Sequence, residues 1–363
     1  MRKNLYSLLK ITLAIVMLCG LLAGCAAQQQ IPSIAYTQNT PNASAGEPEA
    51  TPQPSAPESV LLLNKHQPLG YSGGVRQTRA AEQPRAYTIA WISDTQHYSS
   101  GSPDTFLTMT RYLKENREEL NLAYVVHTGD IVSDGTSTRQ WENAKRAMDE
   151  LKAIPHGVLA GNHDVGSKIN YSNYCKYFGE EQFSQETYFG GSMLDNRNHY
   201  DLLTLGNTGY VFVYLGYQPG SESIAWANSV FSGFPERIGV LCVHDYINTD
   251  SSLRGMGKIL REQVVKPNPN VYLVLCGHRY TEDCLIERFD DDGDGNADRT
   301  VYQCIANYQN LDNGGNGYIR FIRIDEAKGT MQFYTYSPQL GKYRAIPEKA
   351  KNQNPVLPVP WAA

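Results

Sequence analysis

Gly157-Val158-Leu159-Ala160-Gly161-Asn162-His163-Asp164 is the stretch on which the reading of this chain turns. A short apolar run stops at a glycine and hands over to three side chains that bind metals or move protons. Four other stretches repeat the texture. Residues 88–93 (TIAWIS) run into Asp94, and residues 123–128 (AYVVHT) into Gly129-Asp130. Residues 237–243 (RIGVLCV) run into His244-Asp245, and residues 271–276 (VYLVLC) into Gly277-His278. Each run is short, β-rich and uninterrupted, the mark of a strand buried on both faces. Between them lie helical patterns. Residues 105–120 place Phe106, Met109, Leu113 and Leu120 at helical spacing; residues 138–153 do the same with Trp141, Ala144, Met148 and Leu151; residues 254–265 are a third. Strands alternating with helices define an α/β fold. Ligands in such sheets collect at the carboxyl ends of the strands, where these polar residues stand.

The remainder is more β-like. Residues 210–217, 283–289, 300–308, 318–324 and 330–336 read as strands of a second sheet, and 60–63 as a first strand. The Pro-rich tail at 346–363 reads as irregular. His127 reads as a satisfied core residue and His156, after Pro155, as a loop residue. Most of the tyrosines at 171–200 read as ordinary packing, and Tyr98 and residues 313–316 as facing a cleft.

Asp, Asn and His are the ligands of borderline to hard divalent or trivalent ions, and the glycines let backbone approach such ions closely. One His at a strand end is more often structural than ligating. Five such ends in one chain are a different matter. In order they are Asp94-Thr95-Gln96, Gly129-Asp130-Ile131-Val132-Ser133-Asp134, Gly161-Asn162-His163-Asp164, Val243-His244 and Gly277-His278-Arg279-Tyr280.

This order resembles the calcineurin-like metallophosphoesterase superfamily, whose pattern is D-x-H, G-D-x-x-[DN], G-N-H-[DE], a lone H, then G-H-x-H. The resemblance covers roughly residues 86–340. It implies a four-layer α/β/β/α sandwich of two mixed sheets, with two transition-metal ions (Mn, Fe or Zn) at the strand ends. Carried over by motif, Asp130 bridges the two ions, and Asn162, His244 and His278 complete the second site. His163 contacts the phosphoryl oxygen or protonates the leaving group, with Asp164 orienting it. Asp134 is a supporting residue.

At the first site Asp94 is present, but Gln96 and Tyr280 stand where the family has histidines. Asp-Thr-Gln at the first motif marks a subset of that family. Tyr280 would bind as phenolate, so its pKa of ~10 would have to fall by about three units, or roughly 4 kcal/mol. Arg279 is positioned to grip a phosphate oxygen or, equally, to face solvent as a plain charge. The reaction implied is hydrolysis of a phosphate monoester or diester by in-line attack of metal-bound hydroxide. The rival is a catalytically weakened or silent binding protein with only one metal site filled.

Asp290, Asp292, Asp294, Asn296 and Asp298, with Gly293 and Gly295, offer alternating oxygens like an extracellular calcium loop. Val301 replaces the Glu expected at the twelfth position, so this is no EF-hand. The alternative is a solvated Asp-Gly hairpin turn; five clustered acids favour a calcium ion among them.

Arg2, Lys3 and Lys10 precede an apolar run over 11–22, the pattern of a signal peptide over 1–24. Leu22-Ala23-Gly24-Cys25 resembles a bacterial lipobox, which implies a lipid on Cys25 and a body on the extracytoplasmic face of the cell membrane. The alternative is an uncleaved N-terminal anchor. Residues 25–59, rich in Gln, Pro, Ser, Ala and Thr, read as a tether, and 60–345 as the catalytic domain.

With 41% hydrophobic and 19% charged residues among 363, the chain is neither coiled coil, collagen nor wholly disordered. A net charge of −5 gives no basic surplus for a dedicated nucleic-acid binder. There is no nucleophile elbow, P-loop or dinucleotide fingerprint. The expected partners are a phosphorylated small molecule or polymer and, through the lipid, a membrane; the expected state is a monomer. Beyond Cys25 there are Cys175, Cys242, Cys276, Cys284 and Cys304, an odd set that leaves at least one free thiol. Cys284 and Cys304 flank one hairpin and are the candidates for a disulfide.

Overall fold

The structure, a computed structural model, describes residues 86–345 and 355–361. The expected signal peptide, the expected tether, Cys25 and the strand expected at 60–63 lie outside these residues. In chain order the strands are β1 (Ala86–Ile92), β2 (Leu122–His127), β3 (His156–Val158), β4 (Phe189–Met193), β5 (Asn198–Leu205), β6 (Thr208–Leu215) and β7 (Ile238–Val243). They continue with β8 (Val271–Cys276), β9 (Glu282–Phe289), β10 (Arg299–Ala306), β11 (Ile319–Asp325), β12 (Thr330–Ser337), β13 (Lys342–Tyr343) and β14 (Val356–Pro358).

Two seven-stranded sheets result. One runs β13-β12-β11-β1-β2-β3, with β14 on β12; the other runs β4-β5-β6-β7-β8-β10-β9. Both are mixed: β1, β2 and β3 are mutually parallel while β11 is antiparallel to β1, and β6, β7, β8 and β10 are parallel while β5 and β9 are not.

Side-chain alternation assigns the layers. Ile89 and Trp91 of β1 meet Tyr210, Phe212, Val240 and Leu273 of the other sheet in a core between the sheets. Ala90 and Ile92 point the other way, onto α1 (Gln96–Gly101), α2 (Pro103–Glu115) and α3 (Thr138–Met148) through Tyr98, Phe106, Met109 and Trp141. Val211, Val213 and Leu241 cover the far face with Ile224, Val230 and Phe231 of α6 (Ser221–Gly233). The order is therefore α/β/β/α, as the resemblance implied. Two shorter helices, α4 (Asn162–Val165) and α5 (Ser172–Phe178), follow β3, and α7 (Gly255–Leu260) precedes β8.

Several expectations are corrected. The strands at 318–324 and 330–336 belong to the first sheet, not to a separate one, because β11 covers the open edge of β1. The tail is not wholly irregular: β14 pairs with β12, Val359 is buried, and Trp361 packs on the inter-sheet core. His156 lies buried in β3 rather than in a loop. Cys284 and Cys304 face each other across β9 and β10, but both are free, as are Cys175, Cys242 and Cys276. Helix 105–120 starts earlier and stops at Glu115; 254–265 is α7 followed by a π-helical turn, Arg261–Val265.

Tyrosines fill the inter-sheet layer by pairing hydroxyls. Tyr87 and Tyr210 meet at 2.6 Å; Tyr124 donates to buried Asp201 and sits 2.9 Å from Tyr214 Oη. Among the described residues no helix is long and apolar enough to cross a membrane.

Candidate metal centre

The parallel strands of both sheets end on one side, and backbone bonds tie those ends together. Asp94 N–H donates to Gly129 O at 3.0 Å, and Gly277 N–H to His244 O at 3.0 Å. Three strand-end residues leave ordinary backbone space: Asp94 (φ 53°), Asp130 (φ 53°) and His278 (φ 71°) are left-handed. None is a glycine, and each such residue costs about 1–3 kcal/mol unless its surroundings hold it. Asp94's carboxylate accepts His278 N–H at 3.1 and 3.2 Å and Ser93 Oγ–H at 2.5 Å. Asp130 Oδ1 accepts His163 N–H at 2.9 Å. The strained turns and the carboxylates therefore support one another.

Ligand atoms of Asp130, His244 and His278 lie within 4.8 Å of one another. His244 Nδ1 donates to Thr128 O at 2.8 Å, which leaves Nε2 facing Asn162 Oδ1 at 3.1 Å and Asp130 Oδ2 at 3.3 Å. Asp130, Asn162, His244 and His278 thus converge on one point. Asp94 is buried beside them, and Gln96 donates Nε2–H to Asp130 Oδ2 at 3.3 Å.

The residues fit a metal on two observations. Gln96 Oε1 is buried with no hydrogen-bond partner, an oxygen turned inward with nothing to accept. The close backbone also matches: a Cβ on Gly161 would stand 2.3 Å from Asp130 Oδ1, and one on Gly277 2.3 Å from Asp94 Oδ2. The electrostatics agree. Burial, eased by His244 and worsened by Asp130, pushes Asp94 up to about 7. Burial opposes a charge on His244, yet Asp130 and Asp94 outweigh it and raise its pKa to about 10. His278 falls to about 4, through burial and then the His244 charge. Buried carboxylates thus call for a positive charge that a metal ion supplies.

Tyr280 is a correction. It was expected as a first-site ligand, but it is 54% exposed, whereas Asp94, Gln96 and Asp130 are buried. Successive tight turns, Arg279 N–H to Gly277 O and Thr281 N–H to Arg279 O, throw it outward. His97 is exposed as well, its Cβ against Gly314. Of the residues expected at the first site, Asp94, Gln96 and Asp130 are the buried ones.

Asp164 is a second correction. Its carboxylate does not touch the His163 ring; Oδ1 accepts Ile131 and Val132 N–H at 2.8 and 2.9 Å, and Oδ2 accepts Gly161 N–H at 2.7 Å. It splices the Asp130 loop to the Asn162 loop. The His163 ring is exposed and is held by Ser133 O, 3.0 Å from Nδ1. Arg279 Nε is buried without a partner, beside His278. Asp134 accepts Thr136 N–H and Oγ1–H, bonds that hold its carboxyl low.

Two residues escaped the sequence reading. Asp245 pairs with Arg254 and stands 4.0 Å from His278 Nε2; its only signal is adjacency to His244. Thr95 Oγ1 lies 3.0 Å from buried His127 Nε2 beneath the site.

In the acidic loop, Asp290, Asp292 and Asp294 bring carboxylate oxygens within 4.8 Å of one another. Asp298 is not among them. Asn296 Nδ2 donates to Asp294, and Asp298 accepts Asp291 N–H at 2.7 Å.

An α/β/β/α sandwich with Asp, Asn and His converging at the ends of its parallel strands defines a metallophosphatase-type protein. The family model for calcineurin-like phosphoesterase matches residues 87–282, and the chain belongs to that family. It is 43% identical over 255 residues to the uncharacterized protein YvnB of Bacillus subtilis (strain 168); that is 69% of this chain but only 20% of YvnB, so the chain spans about a fifth of that relative. Similar solved structures include the purple acid phosphatase PPD1 of yellow lupin (TM-score 0.49, 11% identity, 72% of this chain and 53% of that one). They also include 5'-nucleotidase of Candida albicans SC5314 (TM-score 0.40, 13% identity, 69% and 48%).

Proposed function

We propose that this protein is a metal-dependent phosphoesterase that hydrolyses a phosphate monoester or diester at the extracytoplasmic face of the cell membrane, held there by a lipid on Cys25. The observation that carries the chemistry is the convergence of Asp130, Asn162, His244 and His278 beside an exposed His163. Asp130, Asn162, His244 and His278 would hold one ion; Asp94, Gln96 and Asp130 would hold the other. Bound Mn, Fe or Zn ions lower the pKa of water and neutralise phosphoryl charge. The chain's own residues do the rest. Ser133 O fixes His163 Nδ1, so Nε2 is the nitrogen presented to a leaving oxygen. Arg279, with an unpartnered Nε next to a metal ligand, supplies a fork for a phosphoryl oxygen. Asp164 keeps the Asp130 and Asn162 loops in register without entering the chemistry.

The test is elemental mass spectrometry on protein purified without chelators, together with hydrolysis of p-nitrophenyl phosphate before and after metal removal. Two transition ions and metal-dependent turnover support the reading; no turnover with any of the three metals would sink it. The second reading, a binding protein with a single ion, is favoured by the exposed Tyr280. One ion and no hydrolysis would select it. Replacing Cys25 by Ser should release the protein from membranes if the lipid reading holds.

We also read the acidic loop as a calcium site served by Asp290, Asp292 and Asp294. Millimolar Ca²⁺ should raise the melting temperature, and Asp292→Asn should remove the rise; identical responses in both proteins would discard the site.

A further inference from the structure

Two cavities open beside the cluster of Asp130, His244 and His278, and they share no lining residue. One, of about 370 Å³, lies on the His163 side and is lined by Asn162, His163, Asp134, Ser167, Asn170 and Asn173 among others. The other, of about 220 Å³, lies on the His244 side and is lined by Tyr217, Gln218, Arg254, Met256 and Leu260. A lining residue of each is in contact: Asn162 Oδ1 of the first stands 3.1 Å from His244 Nε2 of the second. Whole small-molecule sites run to about 300–1,000 Å³; the His244-side cavity falls below that range and suits a single substituent, while the His163-side cavity stands near its lower end.

Their chemistry differs. The His163-side cavity offers hydroxyls and amides, carries the Asp134 carboxylate and has no lysine or arginine in its lining. It suits a neutral, hydroxyl-rich group and repels a second phosphate. The His244-side cavity has an aromatic ring, Tyr217, tied at its backbone N–H to Ala160 O. Beside it are the aliphatic faces of Met256 and Leu260, and Arg254 there is already neutralised by Asp245. It suits a group with an apolar face and a hydrogen-bonding edge, matched by Gln218.

We infer that the substrate is a phosphodiester: a polyhydroxylated leaving alcohol seats beside His163, and a second, amphipathic substituent seats beside Tyr217. This rests on the phosphoesterase reading above. A monoester would leave the His244-side cavity without an occupant. In the reaction, the oxygen of water bonds to phosphorus and the bond from phosphorus to the leaving oxygen breaks. The electron pair stays on that oxygen, which takes a proton from His163 Nε2. The attacking water's proton restores His163 through solvent. The products are the alcohol and a monoester of the second substituent, with no oxidation or reduction.

The experiment compares bis(p-nitrophenyl) phosphate with p-nitrophenyl phosphate on the Mn²⁺-loaded protein, since they share a leaving group and differ by one substituent. The expected kcat/KM ratio favours the diester at least tenfold. Gly255 lines the second cavity, and a Cβ added there meets nothing within 4 Å. Gly255→Leu should fold and lower that ratio at least tenfold. A ratio of one or less in the native protein, or an unchanged ratio in the variant, would overturn the inference. Among diesters, one releasing glycerol should outrun one releasing hexanol tenfold; the reverse order would overturn the leaving-alcohol assignment. If neither nitrophenyl ester turns over, the hydrolytic reading fails by itself. Calorimetric binding then decides: tenfold tighter binding of the diester sustains the two-substituent site, and equal affinities overturn it.

Discussion

Replacing Gly277 by Ala tests whether Asp94 serves a metal. The added methyl would stand 2.2 Å from Ser93 Oγ and 2.3 Å from Asp94 Oδ2. Ordinary contact begins near 3.4 Å, so the Asp94 carboxylate must retreat by about 1 Å. It cannot do so freely, because the same carboxylate holds His278 N–H and closes a left-handed turn. Overpacking of this kind costs about 1–3 kcal/mol, and a displacement of about 1 Å at a reacting centre costs on the order of 10²-fold in rate. Gly233→Ala is the control: it ends α6, and its new methyl meets nothing within 4 Å. That change should be neutral or stabilising by about 0.4–1 kcal/mol. The assay is urea unfolding plus metal content by elemental mass spectrometry. The expected result for Gly277→Ala is loss of one of two ions, retention of the ion at His244, and a lower unfolding midpoint. Full metal content with native stability would refute the placement of Asp94 in the site.

Other perturbations address different parts of the molecule. His163→Ala should cost about 10²–10⁴-fold on an alkyl phosphate, far less on a p-nitrophenyl ester whose anion leaves unaided, and no metal; equal losses on both esters would exclude the proton-donor role. His199 is buried and stacked on Tyr214 at 4.2 Å, and burial, then His156, holds its pKa down to about 3. A lowered histidine contributes stability that is complete above its unfolded pKa of about 6.5 and is lost as pH falls toward 3, roughly 2 kcal/mol by pH 5. His199→Phe should therefore flatten the acid limb of stability between about pH 6.5 and 4, measured by urea titration; parallel curves would contradict the burial argument. Arg299 is buried, holds Asp291 through two bonds of 2.8 Å and donates to Val271 O at 2.6 Å. Arg299→Met should lower stability by about 3 kcal/mol, since it strands buried acceptors, and a loss under 0.5 kcal/mol would show that the loop rehydrates freely.

What the sequence made legible follows from which forces carry a residue-type signature. Metal ligation favours Asp, Asn or His at strand ends, so Asp94, Asp130, Asn162, His244 and His278 could be read in order as candidate ligands. Buried parallel strands demand uninterrupted apolar runs, so β1, β2, β7 and β8 stood out. Sheet membership was less legible. The inward and outward alternation of β11 suits either sheet, and only the long-range register Ala86↔Asp325 places it beside β1. The role of Asp164 was hidden for a related reason: its partners are three backbone amides, which any residue supplies. The carbonyl of Ser133 beneath His163 is equally anonymous. Tyr280 misled because motif position fixes the Cα, whereas the turns after His278 decide where the side chain goes.

The two halves of the centre differ in donor chemistry, and the difference bears on which ions they take. Around His244 the donors on offer would be two imidazoles, one amide and Asp130, a borderline set suited to Zn or Fe. Around Asp94 they are carboxylate oxygens and Gln96 Oε1, a set made only of oxygen. Oxygen donors favour harder ions such as Mn²⁺ and bind them less tightly than imidazole binds zinc. Gln96 is not a passive loss of the family histidine. Its Nε2–H secures Asp130 Oδ2, so the same side chain orients that carboxylate and would offer a neutral oxygen to an ion bound beside it. A histidine in that place would add a softer donor and, when neutral, only one ring N–H. Protein offered Mn²⁺ and Zn²⁺ together should then carry one of each, with Mn²⁺ the first to leave on dialysis; two tightly held zinc ions would mean that Gln96 does not set the character of the first site.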